Sequence, residues 1–180
     1  MISPREFKER WERSEELIDW RLNPFPAESL LGVSLPPDVK TFLTEAGLPD
    51  EAAPFLNFKP PKTGNLIRVS DMWRLPQEFK HYRVIGSNGS GDPVCIDEEN
   101  GEIVYLNHDN EFQRVLMASS IFKLSECLLA VRDFIDEAGG LSNPIIPERI
   151  EPLVKLLRSI DPAACEEDGF WPSECQGFTH

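Results

Sequence analysis

The stretch HYRVIGSNGSGDPVCIDEENGEIVYLNHDNEFQRVLM, from His81 to Met117, decides the fold, because it reads as three or four consecutive β-strands. Val94 and Ile96 alternate with Cys95, and Ile103-Val104-Tyr105-Leu106 resumes a β-rich run after Glu98-Glu99-Asn100-Gly101. Asn100-Gly101 predicts a type I′ hairpin turn, since both residue types tolerate the positive φ that such a turn demands. Upstream, Tyr82-Arg83-Val84-Ile85 feeds a glycine cluster, Gly86, Gly89 and Gly91, that makes the preceding connection. Downstream, Phe112-Gln113-Arg114-Val115-Leu116 alternates and returns as a further antiparallel strand.

The same stretch is the strongest electrostatic feature. Asp92, Asp97, Glu98, Glu99, Glu102, Asp109 and Glu111 follow one another with no Lys or Arg before Arg114. Strand interiors take the apolar residues, so these carboxylates are expected at turns and strand ends, making one edge or end of the sheet negative. Asp92 and Asp97 have a second reading, as structural groups bonding turn amides beside Gly91 and Gly101.

Outward from the centre, helices flank the sheet. Ser3-Pro4-Arg5-Glu6 is a capping box with proline at the first helical position, and Phe7, Trp11, Leu17 and Ile18 mark a stripe running to about Trp20. Trp11 and Trp20 either pack this helix onto the body or anchor a partner. A second helix spans Pro37 to Ala46 and stops at Gly47. Phe55-Leu56-Asn57-Phe58 and Leu66-Ile67-Arg68-Val69 read as short strands, and the prolines between them keep that connection out of the sheet. Met72 to Pro76 reads as a loop or a short helical turn. Ile121, Leu124, Leu128, Val131 and Ile135 recur at helical steps from Ser120 to Glu137, and Ile150, Leu153, Val154 and Leu157 do so from Pro147 to Ser159. None of the 16 prolines falls between Pro93 and Pro144, the interval that holds the central hairpin and the longest helix. The acidic tail with Phe170-Trp171 docks either on the body or on a partner.

A helix carrying Leu35-Pro36-Pro37-Asp38-Val39-Lys40-Thr41-Phe42-Leu43 and ending near Gly47, then Val84-Ile85-Gly86, Gly91-Asp92 and Ile96-Asp97 before Gly101, resembles the SUKH superfamily. The resemblance covers roughly Leu35 to Glu137, and Ile160-Asp161-Pro162 with Phe170-Trp171 resembles the tail of one subfamily. The long proline-rich approach from Asn57 to Pro76 departs from the pattern. The superfamily includes bacterial immunity proteins that neutralise toxin domains of polymorphic toxin systems, and related yeast cell-wall regulators. The resemblance implies an α+β fold with a mostly antiparallel central sheet of five or six strands, and for a chain of 180 residues one domain, 1–180, is the simplest count. It implies stoichiometric binding of a cognate toxin domain, not catalysis. A regulatory protein-interaction module without a toxin partner is the competing reading.

Charge narrows the partner. A net charge of −13 disfavours direct nucleic-acid binding and anionic membranes, and favours a basic protein such as a nuclease-type toxin. The expected contact residues are Asp92, Glu98, Glu99, Glu102, Asp109 and Glu111, with Trp73 or Tyr82 as apolar anchors. Gly86, Gly91, Asp97, Asn100 and Gly101 are expected to shape turns. The N-terminus lacks the apolar core of a secretory signal and no run reaches the roughly 20 apolar residues of a membrane helix, so the expectation is a cytoplasmic monomer or weak homodimer.

Little in the sequence points to chemistry or to a cofactor. The Gly86–Gly91 loop lacks the Lys and Ser/Thr of a phosphate-binding loop. Asp97 to Glu102 matches a calcium loop in composition but not in ligand alternation. Cys165, Cys175 and His180 fit no common zinc spacing, and Cys95 and Cys127 are expected as free buried thiols. His108 and Asp109, adjacent in sequence, are expected to point apart.

Overall fold

Residues 1–12, 21–138, 147–166 and 169–178 are described by the computed structural model. Ser3 caps α1 (Pro4–Trp11) by accepting the Glu6 N–H at 3.1 Å, and the missing N–H of Pro4 falls in the turn where no helical partner exists. Phe7 and Trp11 of α1 are buried, so Trp11 packs on the body; the expected extension to Trp20 lies outside the described residues. A two-residue ladder follows, β1 (Leu22–Asn23) against β2 (Leu48–Pro49), with α2 (Pro37–Glu45) between them. Gly47 closes α2 at φ +74°, and a Cβ there would sit 2.1 Å from the Asn23 carbonyl oxygen, so only glycine fits.

The main sheet is an antiparallel meander of six strands in sequence order: β3 (Glu51–Ala52), β4 (Leu56–Phe58), β5 (Tyr82–Ser87), β6 (Pro93–Asp97), β7 (Ile103–Asn107) and β8 (Gln113–Ala118). With the helices it makes an α+β fold. Strand alternation sends Val94, Ile96 and Ile103 to one face, against the large core, and Cys95, Val104 and Leu106 to the other. Both faces are therefore covered, and β6 is buried throughout.

The first face carries α4 (Ile121–Glu137), whose N-cap Ser120 accepts the Lys123 N–H at 3.2 Å. The expected apolar stripe of α4 is buried, and so are Phe122, Cys127 and Leu129, because α1 and α5 (Pro147–Ile160) pack on its far side. Full burial of each such side chain is worth about 1.5–3 kcal/mol, so the wider buried surface matters. Arg132 on α4 donates to the Arg10 carbonyl at 2.6 Å and lies over the Trp11 ring at 5.2 Å, fixing α1. The tail folds back as α6 (Phe170–Gly177), where buried Trp171 donates its indole N–H to the Met117 carbonyl at 2.8 Å. Docking on the body is thus the outcome for Phe170-Trp171.

The second face is covered by the short helix α3 (Val69–Trp73), lying in chain order between β4 and β5. This corrects the strand expected at Leu66 to Val69. Arg68 makes one isolated bridge to Arg83 and Ile67 accepts the Val84 N–H at 3.0 Å before the chain turns helical. Phe55 was expected inside a strand; it stands exposed with φ 56°, and β4 begins after it. The β6–β7 turn also differs from the two-residue type I′ form. Gly101 alone takes positive φ (+79°), its N–H bonds the Asp97 carbonyl at 2.8 Å, and the connection holds five residues, 98–102. Asn100 acts through its side chain, which accepts the Glu102 N–H at 2.9 Å.

Candidate functional site

Because β5, β6, β7 and β8 are antiparallel neighbours joined by short turns, successive turns among them fall at opposite ends of the sheet. The β5–β6 and β7–β8 turns, with Asp92, Asp109 and Glu111, share one end; the β6–β7 turn, with Asp97, Glu98, Glu99 and Glu102, forms the other. The single negative end expected from the sequence is therefore two.

At the first end, Asp92 is 4% exposed and belongs to the interior, not to the rim. Its Oδ1 accepts the His108 backbone N–H at 2.9 Å and lies 2.6 Å from His108 Nδ1, while Oδ2 accepts the Asn88 amide at 2.8 Å. Burial pushes its pKa up, but the His108 N–H, the Asn88 amide and the His108 ring outweigh that and hold it below the usual carboxylate range. His108 Nε2 lies 3.5 Å from Asp109 Oδ1, so the two neighbours converge, contrary to expectation: His108 sits in a turn, not on a strand. Trp73 stacks on His108 at 5.5 Å between ring centroids and meets Phe112 edge-on at 5.3 Å. Trp73 nevertheless remains 41% exposed, next to Met72 at 54%. Asp109 and Glu111 are exposed around it, and Glu111 and Phe112 both hold positive φ, 50° and 58°. The rings continue inward through Phe79 to Tyr82, which is buried and therefore not a surface anchor; burial raises its pKa against the opposing influence of Arg114.

At the second end, Glu98 is also drawn inside. Its carboxylate takes the Arg83 Nε–H at 2.7 Å and the Ser34 N–H at 2.6 Å, and Arg83 donates onward to the Leu66 carbonyl at 3.0 Å. Glu102 is paired with Arg114. Asp97, buried, accepts the Glu99 N–H at 2.9 Å within the turn that leads to Gly101. Of Asp97, Glu98, Glu99 and Glu102, Glu99 is the one that is exposed. Gly91 turns at φ +83°. Gly86 is required for another reason: a Cβ there would lie 2.3 Å from the Asn57 carbonyl oxygen, where β5 pairs with β4 on one side and carries a bulge against β6 on the other.

Of the eight residues expected at a binding surface, the fold thus gathers Trp73, Asp109 and Glu111, leaves Glu99 and Glu102 at the far end, and takes Asp92, Glu98 and Tyr82 inside. Met72, absent from the sequence-based set, joins Trp73; its signal was the apolar pair Met72-Trp73 in a segment with no alternation. On the other side of the sheet a cleft of about 740 Å³ opens between α1, α4 and α5, lined by Phe134, Leu153 and Leu156 and by Glu6, Glu126 and Asp133.

A glycine-dependent antiparallel meander flanked by α2 and α4 has the element order of the superfamily resemblance, and residues 9–176 match the family described as SUKH-4 immunity protein. The chain belongs to the SUKH-4 immunity protein family. No curated protein and no solved structure matches it. The SUKH-4 match extends beyond the core that the motifs identified, taking in most of α6 and its Trp171 contact. Among the described residues of this SUKH-4 chain, no helix is long and apolar enough to cross a membrane.

Proposed function

We propose that residues 1–180 act as one non-catalytic immunity domain in the cytoplasm. It binds a cognate toxin domain of basic, nuclease type on the face built by Met72, Trp73, Asp109 and Glu111. The observation that carries this reading is the exposed Trp73 ring, held from behind by His108 and Phe112 and flanked by carboxylates. A large aromatic already fixed in place loses little entropy on binding, which is the profile of an interface anchor. The surrounding carboxylates, on a chain of net charge −13, accelerate encounter with a cationic partner and select against an anionic one. Glu99 and Glu102 contribute to the long-range field more than to contact.

The experiment is inhibition of the toxin domain encoded beside this gene, by the wild-type chain and by Trp73→Ala and the pair Asp109→Asn with Glu111→Gln. Trp73→Ala should weaken binding by about 2 kcal/mol or more, and the charge variant should slow association most at low salt. Full inhibition by the combined variant rejects this face and leaves the family intact. If no adjacent gene encodes a toxin and the purified chain captures none, the regulatory-module reading gains.

A further inference from the structure

We infer that His81, Asp97 and Glu99 form a binding site for one divalent transition-metal ion of the zinc class, distinct from the Trp73 face. One ligand atom from each of the three residues lies within 4.8 Å of the others. His81 Nε2 is 3.9 Å from Asp97 Oδ2, and His81 Nδ1 is 3.9 Å from Glu99 Oε1. These separations are too long for hydrogen bonds, and because one ion takes only one of the two ring nitrogens, the site closes by a small turn of the imidazole or of the Glu99 side chain. Bonds of about 2.0–2.2 Å to zinc put neighbouring ligands roughly 3.4 Å apart, so movements of about an ångström complete the set.

Two features separate this cluster from ordinary surface acids. The first is the state of Asp97: its side chain is 6% exposed, Oδ1 is occupied by the Glu99 N–H, and Oδ2 accepts no hydrogen bond among the described residues while pointing at His81. On a side chain so largely withdrawn from water, a carboxylate oxygen with no protein donor gains more from a cation than a fully solvated one would. The second is the distribution of charge at this end of the sheet. Arg83 neutralises Glu98 and Arg114 neutralises Glu102, whereas Asp97 and Glu99 have no Lys or Arg within ion-pairing distance among the described residues; their basic neighbour is His81.

The backbone holds the three ligands in place. Glu98 N–H donates to the His81 carbonyl at 2.9 Å, tying the start of β5 to the turn, and Tyr82 stands opposite Asp97 in the ladder. Glu99 is 70% exposed on the side chain, so it can swing onto the ion, and solvent supplies what remains of the coordination shell. One imidazole with two carboxylates favours Zn²⁺, Co²⁺ or Ni²⁺ over the all-oxygen preference of Mg²⁺ and Ca²⁺.

The test is calorimetric titration of Zn²⁺ into the tag-free full-length chain, with far-UV circular dichroism of each variant. One Zn²⁺ per chain is expected for the wild type. His81→Asn and Glu99→Gln should each weaken binding more than tenfold, since even outer partners of a ligand cost roughly 10–100-fold. Glu111→Gln, at the opposite end, should bind as the wild type does. Glu99 lies on an exposed turn, so its variant keeps the test valid if His81→Asn folds poorly. Absence of stoichiometric binding overturns the inference, as does wild-type affinity in the Glu99→Gln chain, and as does displacement of Zn²⁺ by millimolar Mg²⁺.

Discussion

Asp92 grips His108 at two points, the backbone N–H at 2.9 Å and the ring Nδ1 at 2.6 Å, and so joins the β5–β6 turn to the β7–β8 turn across one end of the sheet. The ring it fixes is the one on which Trp73 stacks. The interior thereby sets the exposed surface: an ionised, buried carboxylate orients an imidazole, the imidazole supports an indole, and the indole faces solvent.

Asp92→Asn should lower stability by about 2 kcal/mol at pH 7, because the charge-assisted bonds from His108 and Asn88 are lost or weakened. The pH dependence follows from the depressed pKa of Asp92. A carboxyl group whose folded pKa lies below its unfolded value, about 3.9, stabilises fully above that value and loses the contribution as pH falls through the folded one. Urea denaturation of wild type and variant at pH 7 and again near pH 3 should show the gap narrowing in acid. An equal gap at both values would remove Asp92 ionisation as its cause.

The four thiols should be silent in the native state. Cys95, Cys127, Cys165 and Cys175 are all buried and free, and burial first of all raises each pKa, Cys165 to about 11 and Cys175 to about 12. A thiol reagent that attacks thiolates should therefore label none of them quickly at pH 8, and all four once the chain is unfolded in denaturant. Rapid labelling of one native cysteine would indicate local opening, most informatively around α6.

These features differ in how far the sequence discloses them. The meander was legible because Val94, Ile96, Ile103 and Val104 alternate across two faces, and α4 because Leu124, Leu128 and Ile135 keep helical spacing. The Leu66–Val69 segment misled because β-branched residues fit a strand and a helix start alike, and contact with β5 chose between them. The acidic residues were legible as turn residues but not as partners. Glu98 and Arg83 are 15 positions apart, Asp92 and His108 are 16, and no local pattern reveals which carboxylate meets which cation. Strand order alone, however, would have placed the two groups of carboxylates at opposite ends.

The C-terminal helix should be part of the cooperative unit. Trp171 is fully buried, sits edge-on to Phe170 at 4.9 Å and donates to the Met117 carbonyl, while Asp161 Oδ2 accepts the Ser119 N–H at 2.6 Å just before α4. Trp171→Ala should cost about 3–5 kcal/mol from the lost ring and the cavity behind it. Trp171→Phe keeps most of the apolar volume but strands the Met117 carbonyl, at about 1–3 kcal/mol. Both should shift the single urea transition recorded by circular dichroism. A variant that leaves that transition in place while freeing α6 to exchange amide protons would show that the tail is an independent flap.

The Arg83–Glu98 pair offers the sharpest energetic test, because both side chains are nearly buried and each also holds a backbone group: Arg83 serves the Leu66 carbonyl, and Glu98 serves the Ser34 N–H. Removing either partner leaves a desolvated charge, so Arg83→Met and Glu98→Gln should each cost about 3 kcal/mol or more. The double variant leaves no unpaired charge, and its cost should fall short of the sum of the singles by more than about 1 kcal/mol. Strict additivity in that cycle would mean that the two residues act through their separate backbone contacts. The loop at Ser34 and the turn at Glu98 would then be held together by something other than this ion pair.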